Sequence, residues 1–193
     1  QPLTGFIEAL GLEKPVLVGN SFGGSLALAY AARQSDKLSG MVLMGTPAGD
    51  FTRTSGSSAW YYEPSVENMG ALLREFPYDK SIVTDEMVAS RHEVTMLAGG
   101  LDAYRALFPE PGPAGEQRTV RGLPPSTLEQ VTTPVLALHG REDKMIPLEC
   151  SLRIAEHVPN AELHVFGKCG HWVQIERQDQ FVEQTLNFIA RLA

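Results

Sequence analysis

A serine, an aspartate and a histidine in this chain of 193 residues stand where the three could cooperate in nucleophilic attack. In "KPVLVGNSFGGSLALAYAA", residues 14–32, Ser21 lies between Gly19 and Gly23, where an apolar run gives way to an alanine-rich one. A serine hydroxyl is a weak nucleophile. It needs a base to take its proton, and the base needs an acid to orient it. "LALHGREDKMIP" offers Asp143, with Glu142 beside it as a competitor; "HVFGKCGHWVQIE" offers His171 after Gly170. Distance from the preceding apolar run favours Asp143. His139 ends a strand pattern, His157 falls in a helical one and His164 inside a strand, positions that suit packing or the surface. Only His171 falls on a loop after a strand.

These positions depend on the elements that carry them. Residues 15–19 form a short, continuously apolar run, the pattern of a strand buried on both faces. Residues 22–33 read as a helix whose small residues allow close packing on a sheet, and residues 40–45 ("GMVLMG") as a second buried strand. "TPAGDFTRTSGSS" reads as loop. From Trp60 to Phe108 the periodicity is helical, with helices expected over 66–76, 84–97 and 102–108 and a start signal at Thr84. "PEPGPAGEQRTVRGLPP" reads as a Pro/Gly linker. Strands at 134–138 and 162–166 then alternate with helices at 148–157 and 178–192. Alternation implies parallel crossovers, hence an α/β sheet with helices on both faces. The expected organisation is a core over 1–49 and 126–193 and a helical cap over 50–125, inserted where strand C-terminal ends carry ligand sites. Ser21, Asp143 and His171 all follow such ends.

Composition narrows the possibilities further. With 43% hydrophobic and 20% charged residues the chain has the balance of a globular protein. A net charge of −7 argues against nucleic acid or an anionic membrane as the main partner. No apolar run is long enough to span a bilayer. Two cysteines, Cys150 and Cys169, are too few for a disulfide framework and fit a reducing cytoplasm. Cys169 and His171 lack a second cluster at ligand spacing, so no metal and no cofactor are expected.

A serine flanked by glycines at a strand-to-helix turn is the nucleophile elbow of the α/β-hydrolase fold, which also orders its acid and histidine after the serine. "GNSFGG", "HGREDKMIPL" and "FGKCGHWVQIE", with the cap texture "YDKSIVTDEMVASRHE", resemble the α/β-hydrolases that cleave meta-cleavage products of aromatic ring degradation. The resemblance is strongest to the branch acting on 2-hydroxy-6-oxo-dienoates from monocyclic compounds. It implies Ser21, Asp143 and His171 as catalytic triad and the Phe22 amide as an oxyanion donor. It also implies Asn20 at the polar end of the site, Trp172 against the dienoate and Arg91 on its carboxylate. Arginine suits that role, since it binds carboxylates bidentately and stays charged. From the residues alone, Arg91 reads equally as a surface partner of Asp85, Glu86 or Glu93, and Trp172 as core packing. A small-molecule dienoate is thus the expected partner, with a homo-oligomer expected of the full-length enzyme.

The front of the chain departs from that pattern. The fold draws a second oxyanion donor from a loop after its third strand, and nothing before Ser21 can be that loop. The absent elements would need roughly 75 residues at typical lengths, so the chain is expected to be a fragment. A carboxylesterase or perhydrolase with the same triad is the alternative. A dehalogenase or epoxide hydrolase is disfavoured because Ser21 occupies the elbow where those use aspartate. A non-catalytic protein on this fold would usually have lost one of the three residues.

Overall fold

A computed structural model describes residues 2–54, 63–107 and 117–192. The ends of the expected helical stretch, Trp60 and Phe108, and the first part of the Pro/Gly linker lie outside those residues. After helix α1 (Pro2–Ala9) the core begins with β1 (Val16–Asn20), α2 (Phe22–Gln34) and β2 (Gly40–Met44). It resumes with α6 (Pro125–Leu128), β5 (Val135–Gly140), α7 (Leu148–His157), β6 (Ala161–Phe166), α8 (Val173–Glu176) and α9 (Gln178–Ala190).

The four core strands form one parallel sheet in the order β1-β2-β5-β6. Side chains of a strand alternate between faces, and here the alternation sorts the apolar residues into two cores. Met41, Leu43, Val135 and Ala137 pack with Leu28 of α2, Leu128 of α6 and Ile154 of α7. Val42, Met44, Leu136 and Leu138 pack on the other face with Val173 of α8 and Phe188 of α9. All five residues of β2 and all six of β5 are buried, as their unbroken apolar runs require.

β1 is different. Among the described residues it pairs on one side only, with β2, and Val18 is 55% exposed. The expectation of a strand covered on both faces therefore does not hold for β1 in this structure.

Between the two parts of the core lie β3 (Phe51–Thr54), α3 (Val66–Leu73), α4 (Asp85–Thr95), α5 (Gly100–Leu107) and β4 (Gln117–Val120). The three helices match the expected pattern, and Thr84 caps α4 by accepting from the Met87 N–H at 3.2 Å. The strands correct it. Parts of the "loop" and of the "linker" pair as an antiparallel ribbon, from Phe51 opposite Val120 to Thr54 opposite Gln117. The ribbon rests on a close crossing below it. The Gly49 N–H donates to the Leu123 carbonyl (2.9 Å), and Arg153 of α7 donates to the carbonyls of Ala48 (3.2 Å) and Asp50 (2.9 Å). A Cβ on Gly122 would run into the backbone of Gly49, so glycine is what permits the crossing.

Candidate active site

Because the sheet is parallel, all four strands end on one edge, and each end leads into a residue of the site. β1 leads to Ser21, β2 to Gly45, β5 to Asp143 and β6 to His171.

Ser21 has φ 54° and ψ −120°, a conformation non-glycine residues rarely adopt. Such strain costs on the order of 1–3 kcal/mol and persists only where surroundings enforce it. Here the Ser21 N–H donates to the Met44 carbonyl (2.8 Å), while its own carbonyl accepts from Gly24 (3.0 Å) and Ser25 (3.3 Å). No capping bond ties up the Ser21 side chain. Phe22, the first residue of α2, carries one of the amides that a helix leaves without an internal acceptor. The glycines that the turn needs are Gly19 and Gly24. A Cβ on Gly19 would come within 2.7 Å of the Gly23 and Gly24 backbone, and one on Gly24 would strike Thr46. A Cβ on Gly23 would meet nothing within 4 Å, so sterics do not require the second glycine of the motif.

Asp143 and His171 are both buried and are joined by a 2.7 Å hydrogen bond from Nδ1 to Oδ2. A carboxylate can only accept, so Nδ1 carries a proton, and in the neutral ring the lone pair is on Nε2. The other carboxylate oxygen of Asp143 accepts from the N–H groups of Met145 (2.7 Å) and Ile146 (3.0 Å). Glu142 is placed elsewhere. It accepts from Arg141 (2.7 and 3.0 Å) and from the Cys169 N–H (3.0 Å), which holds its carboxyl below the usual range.

The His171 N–H donates to the Phe76 carbonyl (2.8 Å), and its carbonyl accepts from Asn20 Nδ2 (3.3 Å). Asn20 Nδ2 also donates to the Met44 carbonyl (3.2 Å), so this amide ties the serine turn to the histidine loop. Trp172 stacks on Phe76, with centroids 5.2 Å apart and rings 12° from parallel, and Phe76 also lies 5.7 Å from the His171 ring. Arg91 is exposed on α4, and among the described residues no hydrogen bond or ion pair of its side chain joins it to this group.

Two features of the site escaped the sequence reading. Gly45, φ 48°, closes the end of β2; a Cβ there would lie 2.8 Å from His171 Nδ1 and 3.0 Å from Asp143 Oδ2. His139 is fully buried behind the acid, with Nε2 3.1 Å from the Ile146 carbonyl and 3.7 Å from Asp143 Oδ2. A carbonyl only accepts, so Nε2 bears the proton and Nδ1 accepts from Ser151 Oγ at 2.7 Å. Burial pushes the His139 pKa below 6.5, against the pull of Asp143.

Cys150 and Cys169 are free and buried, and burial pushes the Cys169 thiol up to about 12. Among the described residues no group of three or more His, Cys, Asp or Glu side chains could hold a metal, and no helix is long and apolar enough to cross a membrane.

A strained serine at the mouth of a helix, with an acid–histidine pair beyond later strands of one parallel sheet, defines the class of the α/β-hydrolases. The sequence profile of the alpha/beta hydrolase fold matches residues 2–178. A 2-hydroxymuconate semialdehyde hydrolase of Pseudomonas putida is 42% identical over 193 residues, covering 96% of this chain and 66% of that protein. A 2-hydroxy-6-oxo-2,4-heptadienoate hydrolase from a strain of the same species is also 42% identical, over 97% of this chain and 68% of its own. The solved meta-cleavage product hydrolase CumD from Pseudomonas fluorescens IP01, complexed with acetates, superposes with a TM-score of 0.87. It is 39% identical, over 99% of this chain and 70% of that one. The chain belongs to the α/β-hydrolase fold family, and within it to the meta-cleavage product hydrolases. It spans about two thirds of the length of the relatives it matches.

Proposed function

We propose that this protein hydrolyses a carbon–carbon bond in a 2-hydroxy-6-oxo-2,4-dienoate, in the cytoplasm and as a homo-oligomer. The observation that carries the reading is the 2.7 Å bond between Asp143 and His171 at the sheet edge where Ser21 is held in its strained turn. The dienol first ketonises, losing its 2-hydroxyl proton and gaining one at C5, which leaves a C2 carbonyl conjugated through C3=C4 as the electron sink for the C5–C6 bond. His171 Nε2 takes a proton from Ser21 or from a water beside it, and the oxygen adds to the C6 carbonyl. The Phe22 amide, at the positive end of α2, faces the oxyanion that forms. The C5–C6 bond then breaks, its electrons pass into the dienolate, and His171 returns the proton. Where Ser21 was the nucleophile, a water activated by His171 then breaks the Ser21–acyl bond; either way the products are 2-hydroxypenta-2,4-dienoate and a small carboxylic acid.

In this reading Trp172 contacts the dienoate, Arg91 its carboxylate, and Asn20 the polar end through its carbonyl oxygen, since its amide nitrogen is held by the backbone. Residues 50–125 act as the cap of a core built from 1–49 and 126–193. The exposure of Arg91 favours keeping the carboxylesterase reading as the rival. The test is loss of the yellow dienoate absorbance. Ser21→Ala and His171→Ala should each lower turnover by several orders of magnitude, and near-parental rates in either would refute the reading. Arg91→Gln should cost about ten- to a hundredfold on dienoates and spare a neutral p-nitrophenyl ester. Equal loss on both would mean that Arg91 holds the cap together instead of reading a carboxylate, and no loss on either would favour the esterase.

A further inference from the structure

Glu176, the last residue of α8, reaches back past its own helix. Its Oε1 accepts from the N–H groups of Gly170 (2.9 Å) and Trp172 (3.3 Å), and its Oε2 from Tyr78 (2.7 Å) and again Gly170 (3.1 Å). Gly170 and Trp172 flank His171, whose own N–H goes to the Phe76 carbonyl. Every amide from 170 to 172 is thus fixed by Glu176 or by the segment 76–78. The next residue, Arg177, holds the same loop from its other side, donating to the carbonyls of Gly167 (2.7 Å) and Lys168 (2.8 Å). Gly170 lets the segment lie this close, since a Cβ there would sit 2.7 Å from the Tyr78 nitrogen and 2.8 Å from the Pro77 carbonyl carbon. The Phe76 ring of that segment in turn covers both His171 and Trp172.

We propose that Glu176 is a positioning residue for His171, and that it locks the 76–78 segment and the histidine loop into one unit. One carboxylate serves three backbone donors on two chain segments. A charged acceptor makes hydrogen bonds roughly twice as strong as a neutral one, and its loss leaves three donors without a partner in a partly buried place. The imidazole then drifts relative to Asp143, and the aromatic wall drifts with it. This rests on the reading of His171 as the base.

The test compares Glu176→Ala and Glu176→Gln with the parent chain by three measurements: amide hydrogen exchange at residues 78, 170 and 172, the proton resonance of His171 Nδ1, and the rate at which a fluorophosphonate labels Ser21. The first two need no turnover. Exchange should quicken about ten- to a hundredfold in the alanine variant. The His171 proton should broaden or be lost, and labelling should slow by about tenfold or more. The glutamine variant, which keeps one acceptor oxygen, should fall between; it carries the comparison if the alanine variant does not fold. An unchanged His171 proton overturns the proposal whatever labelling does, and so, where the parent is labelled, does a changed proton with unchanged labelling. A changed proton in a protein whose parent resists labelling supports the positioning role and counts instead against Ser21 as nucleophile.

Discussion

Behind the acid, His139 couples the site to pH through stability. Burial lowers its folded pKa, whereas the unfolded chain binds the proton at about 6.5. Below that value the unfolded state takes up a proton that the folded state refuses. The contribution is therefore complete above about pH 6.5 and is lost as pH falls, by at most about 1.4 kcal/mol per pH unit. His139→Gln should flatten the decline in urea midpoint between about pH 8 and about pH 5, and an equally steep decline in the variant would exclude His139 as its source. Ser21, Asp143 and His171 are legible in the sequence because the elbow motif and the order serine, acid, histidine single out residue types at strand ends. Gly45 and Glu176 are not. The reason for Gly45 lies in two side chains about 100 and 126 residues further along, and the role of Glu176 lies in amides that no residue type announces.

Elements follow the same division. The helix over Leu148–His157 and the strands that begin at Gly40 and end at Phe166 are encoded by local apolar patterns, and they fall where periodicity puts them. β3 and β4 pair across more than 60 residues, with threonines at positions 52, 54 and 119 amid Gly- and Pro-rich sequence. Short strands of this kind gain their stability from the partner strand, so neither half shows it alone. The crossing of Gly49 and Gly122 should be their weak point. Gly122→Ala forces a methyl group into backbone that cannot yield as a side chain would, at about 1–3 kcal/mol. A Tm lowered to match, with faster amide exchange confined to β3 and β4, is the expected result; an unaltered Tm would show that the ribbon tolerates separation.

At the scale of the whole molecule, the sheet has an apolar flank beside β1, where Val18 (55%), Phe22 (60%) and Leu26 (48%) face solvent. A strand with one open edge and apolar neighbours is a template for association. For residues 1–193 expressed alone, Val18→Lys should shift the sedimentation profile toward the monomer, and an unchanged profile would place association elsewhere. The parallel order of the sheet, legible from the alternation of strands and helices, explains why a site dispersed from residue 21 to residue 171 forms along one edge. The ribbon has a different consequence at this scale. Because β3 and β4 lie side by side, the chain leaves the core and comes back to it at almost one point. The length of what is strung between them then matters little to closure, since doubling a loop of this kind costs only about 0.6 kcal/mol in entropy. That freedom works like a bayonet mount with one keyed pin: length can change between the two strands, but Phe76 and Tyr78, whose backbone holds the histidine loop, and Met69, Leu72, Leu73, Val83 and Val88, which pack into the core, must stay in place.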